Sequence, residues 1–326
     1  MRFVIGVFLA SLLGGCATEL MSEKECLAGD WFSAGFEDGQ AGLLESAFGE
    51  RAAICEAYGA PADYETYRQG RAGALSRLCN GRGGYDFARA GRSYLGVCAP
   101  EREEEFLAGY LDGWRIRRAE DARARVQSEY ETAISRVDAY RESMRRAKRV
   151  LRDDDATEKQ IARARDNLHE ARENLPYAER QAEAMAYELG RADEAFEQVV
   201  ASSRAWRESR EFSVMLNTLM EAHELARANP GIDYCTDESD GFYPRCEIAP
   251  GARLADRRSG ALCAMGPGEA RFVSRDAFGA GGAVHAYDFY AADPQTGRAD
   301  RSPSGFFDAL FSEAGEFEGI SCGGGQ

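Results

Sequence analysis

The stretch VQSEYETAISRVDAYRESMRRAKRVL, residues 126–151, places apolar side chains at Val126, Tyr130, Ala133, Val137, Tyr140, Met144, Ala147 and Leu151. The steps alternate between four and three residues, which is the seam of a two-stranded coiled coil. Upstream, Ile116 and Ala119 extend it, with one seven-residue step that passes over Arg123. Downstream the rhythm resumes at Ile161, Ala164, Leu168, Ala171, Leu175, Ala178, Ala182, Met185, Leu189, Ala192, Phe196 and Val199. Between the two runs lie Asp153, Asp154 and Asp155, and Asp155 with Glu158 fits a capping box for the second arm. The run from Glu103 to Ala228 therefore predicts one long helical hairpin, with a first arm, Glu103 to Arg152, of about 75 Å. With the tip at Asp153–Asp154, residue i faces roughly residue 308 − i, so Ile116 meets Ala192 and Tyr130 meets Ala178. Pro176 removes one helical hydrogen bond while the apolar phase continues through it, so a kink is expected rather than a break. Trp206, Phe212, Met215, Leu216, Leu219 and Ala226 continue the second arm past the start of the first. That extra length is expected to pack on the N-terminal region. Periodicity alone leaves open whether the arms pair within one chain or between chains.

The chain opens with Met1-Arg2 and an apolar run from Phe3 to Leu13, too short for a membrane-spanning helix. Leu13-Gly14-Gly15-Cys16 resembles the lipobox of bacterial lipoproteins, in which the Cys is lipidated and becomes the mature N-terminus. The alternative is an ordinary signal peptide with a chance Cys. The resemblance implies residues 1–15 as signal peptide, lipidation at Cys16, and anchoring by acyl chains. Ala17, where an Asp would signal retention at the inner membrane, points to the outer membrane, facing the periplasm.

A net charge of −15 opposes binding to nucleic acid or to an anionic bilayer surface. Contact with a membrane is therefore expected through a lipid anchor. Besides Cys16 the cysteines form two sets of four: Cys26, Cys55, Cys79 and Cys98, then Cys235, Cys246, Cys263 and Cys322. In an exported chain these read as disulfides, with three connectivities open for each set. A zinc site is the alternative, but no pair has the C-x-x-C spacing.

Residues 16–102 read as a disulfide-bonded helical domain rich in glycine and aromatics. Phe32-Ser-Ala-Gly35-Phe36-Glu-Asp38-Gly39 recurs as Phe106-Leu-Ala-Gly109-Tyr110-Leu-Asp112-Gly113, and Tyr67-Arg-Gln-Gly70-Arg-Ala-Gly73 is a degenerate relative. Each glycine costs a helix about 1 kcal/mol against alanine, so its repetition asks for close approach of another backbone or ring. Asp38 and Asp112 are the acidic positions shared by both copies. They read as helix caps or backbone acceptors, with a paired-carboxylate site as the alternative. Trp31, Gly35, Phe36, Asp38, Gly39 and Gly42, then Tyr67, Gly70, Cys79, Tyr85, Gly91, Tyr94, Gly96, Cys98 and Phe106 together resemble a family of bacterial lipoproteins of unknown function, over roughly residues 16–114. The resemblance supports the lipoprotein reading and implies no catalytic residue.

Asn229-Pro230-Gly231 stops the helical region, and residues 229–326 read as a small α+β or mostly β cap. Arg271-Phe-Val-Ser and Val284 to Tyr290 read as strands joined near Gly279–Gly282, Asp293–Gly297 as a turn, and Phe306–Phe311 as a short helix. Thr236-x-Glu238-x-Asp240-Gly241 followed by Glu247 partly fits a calcium-loop spacing, but Thr stands where Asp belongs and Pro244 and Cys246 intrude. A disulfide-closed loop is the competing reading there. With three histidines, His169, His223 and His285, and no G-x-S-x-G or H-E-x-x-H, no catalytic residue, metal or cofactor is assigned. His285 reads as a packed or surface residue rather than a base. The expectation is a mainly α, non-enzymatic envelope lipoprotein, structural or protein-binding through its coiled-coil stalk, with an envelope protein as partner. A glycan- or calcium-binding C-terminal cap is the alternative.

Overall fold

The computed structural model describes residues 20–238, 241–250, 252–255, 262–264, 267–278, 282–293 and 296–323. The lipobox and Cys16 lie outside them. Packing divides the chain into two compact units at Arg77 and Leu78, inside the stretch 16–102 read above as one domain.

The first unit holds α1 (Glu23–Ala28), α2 (Trp31–Ala41), α3 (Ala47–Glu56) and most of α4 (Tyr64–Leu78). Ser22 and Glu25 form a capping box for α1, and Asp30 accepts from the Ser33 N–H to start α2. Cys26–Cys55 ties α1 to α3. A Cβ on Gly35 would overlap the Tyr67 carbonyl, and one on Gly70 would overlap the Phe32 carbonyl. The two helix backbones therefore touch, and only glycine fits between them.

The second unit continues with α5 (Gly81–Arg89), α6 (Pro100–Val150), α7 (Glu158–Ala201), α8 (Ser203–Arg207) and α9 (Arg210–Ala228). The second motif copy lies at the base of α6. There a Cβ on Gly109 would overlap the Gly81 carbonyl, and one on Gly84 the Phe106 carbonyl. Each motif copy thus builds the same notched helix pair, but in opposite chain order: α2 precedes its partner α4, whereas α6 follows α5. Cys79–Cys98 ties the segment just before α5 to the segment just before α6.

The hairpin forms within one chain, as α6 against α7, with Ala133, Val137, Ala178 and Ala182 in one buried cluster. Three details differ from the sequence expectation. The capping box is Thr157 with Gln160, two residues beyond Asp155 and Glu158. The turn after Val150 carries the chain past the end of α6 before α7 starts, which shifts the register. Val137 shares its cluster with Ala178, and Arg123 and Arg141 pair with Asp193 and Glu179, about two turns or more further along α7 than a tight tip would place them. Pro176, by contrast, does not break α7, as the continuous apolar phase had indicated. The second arm does not continue to Ala228 as one helix: it stops at Ser202, and Ser209 caps α9 by accepting from the Phe212 N–H.

Among the described residues eight strands follow: β1 (Ile232–Glu238), β2 (Gly241–Ile248), β3 (Arg253–Ala255), β4 (Leu262–Ala264), β5 (Gly268–Phe278), β6 (Gly282–Ala291), β7 (Gly305–Phe311) and β8 (Phe317–Gly323). Six form an antiparallel sheet in the order β1-β2-β5-β6-β7-β8, and β3 pairs with β4. The sheet curls as a half-barrel, and α9 touches β1, β2 and β8. Its core packs Ala222 and Leu225 of α9 against Ile232, Ile248, Tyr287, Phe307, Phe311 and Ile320. Phe306–Phe311 is strand, not helix. Phe307, Ala309 and Phe311 alternate into the core, and the segment is paired on both sides, by β6 and β8.

Candidate functional site

Glu221 and His223 lie two residues apart on α9, so they point to nearly opposite faces of the helix. Each belongs to a buried cluster of the same four residue types. On the α6 side, Glu103 Oε1 accepts from the Tyr94 hydroxyl at 2.9 Å and Oε2 from Arg227 at 2.8 Å. His223 Nδ1 lies 3.2 Å from Glu103 Oε1, yet the same nitrogen is buried without a well-aligned partner. The contact is thus electrostatic rather than a directed hydrogen bond. The Tyr94 hydroxyl also accepts from the Cys98 N–H at 2.9 Å, which links this cluster to the loop held by the second disulfide. Burial pushes the Glu103 carboxyl up, but His223 and Arg227 outweigh it and hold it below the usual carboxylate range.

On the sheet side, Arg275 donates to both Glu221 oxygens at 2.8 Å, and His285 Nε2 lies 2.6 Å from Glu221 Oε2. His285 Nδ1 faces the Tyr287 hydroxyl at 3.3 Å. Burial raises the Glu221 carboxyl, and Arg275 and His285 more than offset that. Burial holds His285 below the ordinary imidazole value despite Glu221 beside it. His285 is fully buried and Glu221 nearly so, and the carboxylate–imidazole pair is closed off from solvent. Both clusters clamp α9, one to α6 and one to the sheet. Of the packed or surface position read for His285, the structure shows the packed one; its acidic partner was not foreseen.

The break at Ser202 creates an open cleft of about 430 Å3 between the base of α6 and the α8–α9 segment. Arg115 donates from Nη2 to the Val199 carbonyl at 3.1 Å and to Ser202 Oγ at 2.5 Å, and so caps the end of α7. Its guanidinium lies 4.9 Å from the Trp206 ring centre, and that of Arg118 lies 4.6 Å from Trp114. Glu211 and Met215 of α9 complete the walls. Neither tryptophan was singled out from sequence as a site residue. The available signal was that two of the three tryptophans lie next to arginines or in the break.

The other residues read from sequence fall as follows. Asp38 is buried and accepts from Arg51 at 2.6 and 2.8 Å and from the Tyr67 hydroxyl at 2.8 Å. It is a buried ion-pair acceptor, not a helix cap. Asp112 is buried on α6, and its Oδ1 has no hydrogen-bond partner. Asp38 and Asp112 do not share these surroundings: among the described residues no arginine pairs with Asp112 as Arg51 pairs with Asp38. Cys235 and Cys246 are directly opposite in β1 and β2 and bonded to each other. Thr236 and Glu238 therefore sit in a strand hairpin, and Asp240 lies outside the described residues. Cys322 is disulfide-bonded; the Cys263 side chain lies outside the described ones. His169 is exposed on α7, 3.3 Å from Glu173. Among the described residues no group of three or more His, Cys, Asp or Glu is placed to hold a metal, and no helix is long and apolar enough to cross a membrane.

The molecule is thus a mainly helical protein with a notched, disulfide-bonded N-terminal helical region, a long helix pair and a C-terminal antiparallel sheet. Residues 30–115 match the model of a family described as protein of unknown function, DUF2799. The match begins just before α2 and ends just after the second motif copy, so it takes in both notched helix pairs and leaves out the hairpin and the sheet. No curated protein and no solved structure matches the chain.

Proposed function

We propose that this chain is a non-enzymatic lipoprotein, anchored at Cys16 to the outer membrane and facing the periplasm, that binds an envelope protein through its helical hairpin. One observation carries the reading. Among the described residues α7 makes extended packing only with α6, along 44 residues of helix. Its buried side chains are Ala164, Ala171, Ala178 and Ala182, so the pair hides little apolar surface for its length. Tyr177 and Tyr187 stand exposed on α7, and aromatic side chains are enriched at protein interfaces. A hairpin of this length with so thin a core is better suited to presenting a surface than to stabilising its own unit.

The test is to remove residues 127–147 and 168–188, three heptads from each arm, which preserves the tip and the register. Crosslinking in intact envelopes should recover one protein with the full-length chain and lose it with the short hairpin. The same proteins crosslinked to both would overturn the reading. The second reading, a ligand-binding cap, draws support from an acidic cleft of about 410 Å3 lined by Asp233, Glu247, Glu269 and Asp293. There burial, with Glu269 and Asp233 nearby, pushes the Glu247 carboxyl up despite Arg245. A rise in melting temperature with calcium or a soluble glycan, absent in Glu247→Gln, would favour that reading.

A further inference from the structure

The cleft at the α7 break has the chemistry of a binding site at the base of the hairpin. Its position is set by the backbone, because α7 ends there and α8 carries Trp206 over Arg115. Arg115 is fixed from two sides, by the hydrogen bonds that cap α7 and by the indole above it. The Nη1 of Arg115 is buried with no hydrogen-bond partner, and the ring contact accounts for it. Arg118 differs. It is exposed, it stacks on Trp114, and among the described residues its guanidinium has no acidic partner. Stacking on one indole holds it in place while its in-plane N–H donors stay available, which suits a carboxylate. Glu211, exposed on the facing helix, offers an acceptor for hydroxyls. Two indoles and Met215 supply flat and adaptable apolar walls.

We propose that this cleft binds an acidic saccharide, a hydroxylated ring that carries a carboxylate. The ring lies against the indoles, the carboxylate pairs with Arg118, and a hydroxyl donates to Glu211. The occupant follows from the three chemistries present together. An apolar ligand leaves Arg118 and Glu211 unused, and a neutral sugar leaves Arg118 unused.

The test uses the full chain with 15N-labelled indoles, which give one N–H resonance for each of Trp31, Trp114 and Trp206. The probes are a hexuronate disaccharide, its neutral hexose counterpart and benzoate. The expected result is a saturable shift of the Trp114 and Trp206 resonances with the hexuronate and none at Trp31. Arg118→Gln should weaken hexuronate binding about tenfold, as expected for one lost charge-assisted contact. It should leave the weaker binding of the neutral sugar and the melting temperature unchanged. Three results would overturn the proposal: no indole shift with the hexuronate, shifts with benzoate alone, or equal hexuronate affinity in Arg118→Gln.

Discussion

Within the single helix α6, two packing regimes meet. At its base, Gly109 and Gly113 let the backbone of α5 settle directly on α6, with Phe106, Tyr110 and Phe87 filling the space around the contact. Toward the tip, Ala133 and Ala147 face α7, and the contact is between small side chains. Both regimes bring helices close, but they fail differently. A notch is filled by the neighbour's carbonyl oxygen, which cannot move without moving its helix. A seam of alanine side chains with solvent on both flanks can spread locally.

The largest effect should come from Gly109→Ala, since the added methyl would collide with the Gly81 carbonyl. A loss of about 3 kcal/mol or more is expected in urea melts, at the upper end for overpacked sites. A near-neutral outcome would show that α5 is free to shift, and the contrast between base and arm would collapse. Glu221→Gln should be nearly as costly, because it leaves Arg275 facing a neutral amide; about 3 kcal/mol is expected. Ala178→Leu overfills the arm, where its neighbours are the side chains of Val137 and Ala133, and should cost only about 1–2 kcal/mol. The smallest effect, of opposite sign, is expected at Gly190. Nothing lies within 4 Å of a Cβ there, so Gly190→Ala should stabilise the helix by about 1 kcal/mol. If Gly190→Ala destabilises instead, the arm is packed against something beyond α6.

Acid should act on the clamps of α9 before it acts on the arms. His285 has a folded value below its ordinary 6.5, so the unfolded chain takes up its proton first, and stability declines as pH falls below 6.5. The carboxyls of Glu103 and Glu221, also lowered from 4.5, add to the loss as pH falls below that value. Hydrogen exchange at pH 5 should therefore rise in α9 and β6 while protection of α7 holds. Uniform loss would mean that the clamps are not the acid-sensitive part.

The hairpin was legible because a period of three and four over many turns admits few other readings. Its register was not, because it depends on how far the turn at residues 151–157 travels before Thr157 starts α7, and no side-chain pattern encodes that distance. The glycine notches were readable as a demand for close approach, though not which helix answered it. Phe306–Phe311 misled because Phe306 and Leu310 are apolar on the second face of the strand, which hides the period of two. The Glu103–Arg227 pair joins residues 124 apart in the chain, and no local spacing announces such a partner.

Because one uninterrupted helix serves both regimes, α6 is mechanically a lever. Its 51 residues span about 75 Å, and the part gripped by α5 and α9, from Glu103 to Ile116, covers about 20 Å. A sideways load at the tip thus reaches the fulcrum with about a threefold gain in force. The notches at Gly109 and Gly113, where two backbones meet with no compliant side chain between them, form the stiffest bearing available to resist it.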